Sequence, residues 1–397
     1  MKLVHVTTVP DSLLFLRGQV GYMQGLGYAV SVVTSPGEQL DAFAEQEHVT
    51  AYAVPMPRRV TPLADLRTVL RLWRIFRDVR PDIVHAHTPK GGLLGMISAT
   101  LAGVPVRVYH MRGLPLMTAK GPKRALLVAT ERVSCALASR VICVSHSLRE
   151  VAIAEALCSP DAIVVMLAGS GNGVDSDGRF NPARLPGGTR ASVRAKLGVP
   201  DDAVVVGFVG RLVKDKGVVE LASAWRGLRE RHPALHLVLV GPWEDQDPVP
   251  GSVRSALESD ERVHIVGFTR ETAALYAAMD IVTLPTYREG FPNVPLEAAA
   301  MGLPVVATRI PGCVDAVADQ LTGTLVPPAD AGALEAALER YVTDPTLRAA
   351  HGRAGRARVE SEFRRERIWE AIAQTYAALL AENGTPASTA VPARMAS

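Results

Sequence analysis

A strict alternation of short apolar runs with longer amphipathic segments constrains this chain more than any other feature. The runs Lys2–Val6, Ala29–Thr34, Asp82–Ala86, Val104–Tyr109 and Arg140–Val144 are each five or six residues long. They are almost continuously apolar, as strands buried on both faces of a parallel sheet must be. Segments of ten or more residues with helical periodicity separate them. Right-handed βαβ units wind such a string into a doubly wound sheet. The series breaks at residues 168–190, AGSGNGVDSDGRFNPARLPGGTR, where Gly, Pro, Asn and Asp crowd together as in a linker. A second series follows: Ala203–Val209, Leu235–Val240, Val263–Val266, Ile281–Pro285, Pro304–Thr308 and Gly323–Val326. The predicted fold class is α/β, with two Rossmann-like doubly wound domains facing across a cleft.

A chain of 397 residues is too long for one ordinary core, and two domains of about 180 residues each are the natural division. The expected boundaries are 1–183 and 184–362. An amphipathic helix over 363–382 should cross back to the N-terminal domain. The tail 383–397, rich in Ala, Thr, Pro and Ser, is expected to be disordered. No apolar run reaches the roughly 18 residues of a membrane span. The longest, Leu93–Val106, contains Ser98, Thr100, Gly103 and Pro105 and reads as a buried helix turning into a strand. His5, Thr7, Thr8 and Pro10 interrupt any signal-peptide core. Cys135, Cys143, Cys158 and Cys313 form no CxxC pair and no Cys/His metal spacing, which predicts reduced thiols in a cytosol.

The net charge of +3 hides an asymmetry. Residues 55–150 hold 16 Lys and Arg against 5 Asp and Glu. Such an excess suits an anionic partner or surface, though a solvated basic face reads the same way. Nucleic acid is not among the expected partners.

Two segments carry most of the chemistry. In Thr286–Gly302, TYREGFPNVPLEAAAMG, a strand ends at Pro285 and a loop holds Glu289, Gly290, Phe291, Pro292 and Asn293. A helix then starts near Val294–Pro295, with proline early and glycine at its end. Its free amides make an anion site, and Gly290 lets backbone approach a ligand closely. Glu289 on the loop and Glu297 in the first turn of the helix have seven residues between them and can face one bound molecule at different depths. Carboxylates accept well from sugar hydroxyls. The second segment, Gly207–Gly217, GFVGRLVKDKG, also runs from strand to helix. There Arg211 offers a bidentate fork to phosphate and Lys216 a point charge. That pair would neutralise a departing diphosphate without a metal. Asp245–Asp247 lies in a proline-bounded loop and makes a weak metal site, so neither metal nor cofactor is expected. Each of these charges could instead be a solvated group at a helix start.

The paired glutamates around G-F-P-N-V-P-L resemble the E-x7-E signature of the family-4 retaining glycosyltransferases of the GT-B fold, and Gly207–Gly217 resembles that family's G-R-x-x-x-x-K-G donor motif. The likeness spans Lys2 to about Leu380, most specifically in the back domain. It implies that Glu289 holds the donor sugar, Glu297 the ribose, and the amides of Gly290 to Val294 the sugar and diphosphate. Gly210, Gly241 and the loop Gly267–Phe268 would line the nucleotide, Phe268 against the base or as a packing residue. UDP is favoured over GDP. In front, Thr7–Ser12 stands where the family usually has a Gly-Gly loop, with Gly18 and Gly21 further on inside a helix. The segments HAHTPKGGLLG (85–95) and VYHMRGLPLMTA (108–119) look like those of bacterial enzymes that extend glycans on polyprenyl diphosphate. By that likeness His110 meets the sugar, with Arg112 as the alternative two places on, and His87, Lys90 and Arg112 serve the acceptor. Gly169–Asp175 matches the family's interdomain hinge, where Asn172 reads as structural.

The function implied is transfer of a sugar, with retention and without metal, from a UDP-sugar to a lipid-linked glycan in surface polysaccharide assembly. The place is the inner face of the cytoplasmic membrane. Thr61–Arg80 supports that location: Leu66, Val69, Leu70, Trp73, Ile75 and Phe76 recur at helical spacing beside Arg67, Arg71, Arg74, Arg77 and Arg80. The same stripe would also dock the helix on its own sheet. A GT-B nucleotide-sugar epimerase and a non-catalytic sugar-nucleotide-binding subunit are the competing readings.

Overall fold

The computed structural model describes residues 1–59 and 61–384. Residues 385–397, most of the expected tail, and Val60 lie outside the described residues. The chain forms two compact units: Met1–Gly173 together with the stretch from Arg365, and Val174–Arg364. The division falls inside the hinge-like segment Gly169–Asp175, ten residues ahead of the anticipated 183/184 boundary.

The first unit holds seven parallel strands: β1 (Lys2–Val6), β2 (Ala29–Thr34), β3 (Thr50–Ala53), β4 (Ile83–His87), β5 (Val106–Met111), β6 (Arg140–Cys143) and β7 (Ile163–Val165). Their order across the sheet is β3-β2-β1-β4-β5-β6-β7. The edge strands β3 and β7 were not anticipated. They are three or four residues long and partly exposed, so neither shows the apolar run that marks a buried strand. β4 and β5 each run further than the apolar pattern suggests, to His87 and Met111. This carries His87 and His110 into the sheet rather than onto loops.

One face of this sheet packs Leu3, Val30, Val32, Ile83, Val108 and Ile142 against Ile368, Ile372, Tyr376 and Leu380 of the C-terminal helix Arg365–Glu382. That helix therefore belongs to the first unit's core. Gly18 precedes the helix Gln19–Gly25 instead of lying within it, at φ 75°. A Cβ there would meet the Trp369 ring at 2.7 Å, so glycine serves both the backbone and the helix contact.

The second unit holds β8 (Val204–Val209), β9 (Leu235–Val240), β10 (Val263–Gly267), β11 (Ile281–Leu284), β12 (Val305–Thr308) and β13 (Gly323–Val326), in the order β10-β9-β8-β11-β12-β13. All pairings are parallel. Its core gathers Phe208, Leu221, Trp225, Leu237, Leu239, Ile281 and Val306. Arg194 is wholly buried beside it, bonded to Asp280 at 2.7 Å and to the carbonyls of Ala278, Pro200, Asp201 and Ala203. A buried guanidinium is tolerable only with its donors satisfied in this way. No helix among the described residues is long and apolar enough to cross a membrane, and the described cysteines form no disulfide.

Candidate functional site

In an open parallel sheet ligands bind outside the carboxyl ends of the strands, where the strand order reverses. In the second unit that point lies between β8 and β11, and both motif loops leave the sheet there. The loop after β8 is fastened to the loop after β9: Gly210 N donates to Val240 O at 2.9 Å, Leu212 N to Pro242 O at 2.8 Å, and Asp215 N to Asp247 Oδ2 at 2.6 Å. Gly241, at φ 143°, faces the Gly210 carbonyl so closely that any Cβ would collide with it. Asp247 thus anchors backbone.

Asp215 then joins the β8 loop to the β11 loop. Its carbonyl accepts from Tyr287 N at 2.9 Å and Thr286 Oγ1 at 3.1 Å, and its carboxylate pairs with Arg288 at 3.1 Å. On this frame Lys216 forms an ion pair with Glu289, both mostly buried. Arg211 points outward and pairs with Glu244 at 2.8 Å. Pro292 precedes the helix Asn293–Ala300, which begins a residue or two earlier than the sequence suggested. Glu297 therefore sits just past the first turn rather than in it. Its Oε2 accepts from Tyr276 Oη at 2.9 Å. Burial raises the Glu297 carboxyl, and the Tyr276 hydroxyl opposes the rise.

The Phe291 ring meets Phe363 at a tilt of 52°, 5.6 Å between centroids; Val294 is half-buried and Asn293 exposed. Gly312, at φ 82°, lets the loop after β12 press on the Gly290 carbonyl. Beside it the Cys313 thiol is pushed up, by burial first and then by the Glu289 charge. Gly267 turns at φ 76° and leaves Phe268 71% exposed, so Phe268 is not a packing residue.

The first unit has the same reversal between β1 and β4. In place of a Gly-Gly loop, Thr8 Oγ1 lies 2.7 Å from Thr88 Oγ1 and accepts from Gly91 N at 2.9 Å. Lys90 pairs with Asp65 at 2.6 Å and donates to the Arg59 carbonyl at 2.6 Å, which commits it to local structure. Asn172 donates to Arg17 O and accepts from Trp369 Nε1 at 2.7 Å, a structural role.

His87 and His110 are fully buried, next to His5 and His85. Parallel register sets His5 beside His85 and His87 beside His110. Since residues two apart share a strand face, all four imidazoles line one face. His5 Nδ1 lies 2.9 Å from His87 Nε2, and Arg112 Nε donates to His87 Nδ1 at 3.2 Å. His85 Nδ1 lies 2.5 Å from Tyr376 Oη, and His110 Nδ1 3.2 Å from His85 Nε2. Burial lowers all four histidines, His5 to about 3, and lowers Arg112 to about 9.

His5, His85 and His87 each bring a ring nitrogen within 4.8 Å of the others, as metal ligands would. Those rings are already hydrogen-bonded, no carboxylate joins them, and Arg112 adds positive charge. The cluster therefore fits a hydrogen-bond chain better than a cation site. The sequence reading missed His5, His85, Tyr276, Asp215 and Tyr376. His85 lay within a quoted motif, and the period-two spacing of His85 and His87 was the available signal.

Comparison with known proteins agrees with this architecture. Residues 189–358 match the family described as glycosyl transferases group 1. Residues 15–169 match the glycosyl transferase 4-like domain. The chain is 32% identical over 382 residues to the capsular polysaccharide biosynthesis glycosyltransferase CapM of Staphylococcus aureus, covering 96% of this chain and 98% of that one. It is 28% identical over 305 residues to a UDP-Gal:alpha-D-GlcNAc-diphosphoundecaprenol alpha-1,3-galactosyltransferase of Escherichia coli, covering 76% and 77%. The fold matches that of Anabaena HepE in complex with UDP and glucose, with a TM-score of 0.80 at 22% identity over 95% of this chain and 100% of that one. With both halves matched, and a relative above 30% identity along nearly its whole length, the chain belongs to the family-4 glycosyltransferases of the GT-B fold.

Proposed function

We propose that this enzyme transfers a sugar, with retention and without a metal, from a UDP-sugar to a polyprenyl-diphosphate-linked glycan in surface polysaccharide assembly. The Lys216–Glu289 ion pair at the β8/β11 reversal carries the proposal. It sets a cation for diphosphate against a carboxylate for sugar hydroxyls, at the place where a parallel sheet binds ligands. The exposed Arg211–Glu244 pair contributes little stability, so Arg211 can turn its fork to phosphate at small cost. The names of the Escherichia coli relative and the Anabaena complex support UDP and the lipid diphosphate.

In the reaction the bond from the anomeric carbon to the diphosphate oxygen breaks, and the acceptor oxygen bonds to that carbon on the same face. The acceptor proton passes to the leaving diphosphate, and UDP departs. Arg211, Lys216 and the free amides near Asn293, at the start of the helix, stabilise the leaving oxygens. Glu289 and His110 orient the sugar, and Glu297 takes the ribose.

A membrane surface is the proposed place of work, at the cytoplasmic face. On the helix Pro62–Val79, Thr68, Val69, Leu72 and Phe76 are buried, whereas Leu63, Leu66 and Leu70 are 77%, 58% and 46% exposed. Arg67, Arg71 and Arg74 are exposed beside them. Packing against the helix Pro89–Leu101 therefore uses only part of the apolar stripe.

Transfer assays in EDTA test the proposal. Wild-type protein should glycosylate the lipid-linked acceptor, and donor alone should keep its configuration. Lys216→Ala and Arg211→Ala should each lose about 2–4 kcal/mol of transition-state stabilisation. Wild-type turnover in Lys216→Ala, strict dependence on added Mg²⁺, or epimerised donor would refute it.

A further inference from the structure

Four buried histidines on one sheet face are more than a core requires, and their hydrogen bonds form two short chains. Arg112 can only donate, so His87 accepts at Nδ1, carries its proton on Nε2 and donates to His5 Nδ1. His5 then holds a proton on Nε2, which has no partner. The second chain runs from Tyr376 through His85 to His110, and its direction follows from counting unmet groups. Suppose Tyr376 donates to His85 Nδ1. Then His85 donates from Nε2 to His110 Nδ1, and one buried group is left without a partner: the N–H at His110 Nε2. If the chain ran the other way, two groups would be left, the Tyr376 proton and the His110 Nε2 lone pair. Tyr376 is fully buried and makes no second hydrogen bond among the described residues. Unmet buried groups are costly and rare, so the first direction holds.

We propose that Tyr376 and His85 are positioning residues that lock His110 in one tautomer, Nδ1 accepting and Nε2–H free, so that it presents a fixed donor to a hydroxyl of the transferred sugar. The inference rests on the reading that His110 meets that sugar. An imidazolium would carry protons on both nitrogens and make the tautomer irrelevant, but burial and the Arg112 charge keep His110 neutral. The C-terminal helix, 266 positions beyond His110, thus contributes a polar group to the site as well as apolar packing.

Long-range ¹H–¹⁵N correlation spectra of the full chain with ¹⁵N-labelled histidine report the tautomer, with His110→Asn assigning the signal. The wild type should show a protonated Nε2 and a bare Nδ1 on His110. Tyr376→Phe removes the donor to His85 and should give mixed tautomers. Its kcat/KM for the UDP-sugar should fall about tenfold, the scale of one neutral hydrogen bond, with UDP affinity unchanged. A proton on Nδ1 in the wild type, a His110 tautomer unmoved in Tyr376→Phe, or a moved tautomer with unchanged kcat/KM overturns the proposal. If Tyr376→Phe does not fold, the wild-type spectrum still decides the tautomer. Failure of the transferase reading looks different: the wild-type protein would transfer nothing while the His110 spectrum kept its pattern.

Discussion

Glu289 and Glu297 share a side chain and a motif but not an environment. Glu289 faces a cation, Lys216, on the neighbouring loop. Glu297 faces a neutral phenol, Tyr276, and burial raises its carboxyl. Different partners imply different losses on substitution. Glu289→Gln keeps the shape, removes the charge and leaves Lys216 without its counter-ion, so transfer should fall far more than UDP affinity. Glu297→Ala removes the proposed ribose acceptor and should weaken bare UDP by about 1.5–3 kcal/mol, the scale of a hydrogen bond to a charged group. Titration calorimetry with UDP separates the two. Equal losses of UDP affinity in both variants would contradict the roles assigned.

Among the elements, the helix Pro62–Val79 makes the sharpest claim. Its exposed Leu63, Leu66 and Leu70 keep much of their apolar surface in water, and its arginines can each add about 1 kcal/mol near anionic lipid. Co-sedimentation with liposomes should need anionic lipid and fade as salt is raised, and Leu66→Ser with Leu70→Ser should weaken it. Indifference to anionic liposomes at low salt would end the membrane reading. Elements also mark what the sequence could show. Val- and Ile-rich runs gave away the interior strands because burial on both faces leaves no other composition. β3 and β7 stayed hidden because short, half-exposed edges need no such run. His87 and His110 looked like residues beyond strand ends because histidine interrupts an apolar pattern. In the sheet they bond to His5 and His85, so the strands continue.

At the scale of the molecule, each unit winds outward from one central pair, β1/β4 and β8/β11, and each places its chemistry at the carboxyl end of that pair. The Arg211/Lys216 and Glu289/Glu297 loops were legible because strand–loop–helix order with Gly and Pro determines where such loops emerge. The bond from Tyr376 to His85 was not, since nothing in the sequence sets a helix against a strand 291 positions away.

The buried histidines have a consequence for the whole fold. Their folded pKa values lie below the ordinary 6.5. Below that pH the unfolded chain binds protons that the folded chain refuses, so stability is present above pH 6.5 and drains as pH falls. Glu131, pushed up to about 7 by burial, and Glu297, also raised by burial, run the opposite way and offset part of the loss. Each lowered histidine steepens that loss by up to about 1.4 kcal/mol per pH unit. Thermal midpoints should drop steeply from pH 7 to 5.5, and His5→Gln should flatten the slope. A midpoint constant over that range would contradict the buried, neutral cluster.

The proposed chemistry comes down to the face from which the acceptor attacks. Proton NMR of the first product formed from a UDP-sugar of known configuration, taken before any anomerisation, reads that face directly. Retention at the anomeric carbon is the predicted result, and an inverted product would contradict the account.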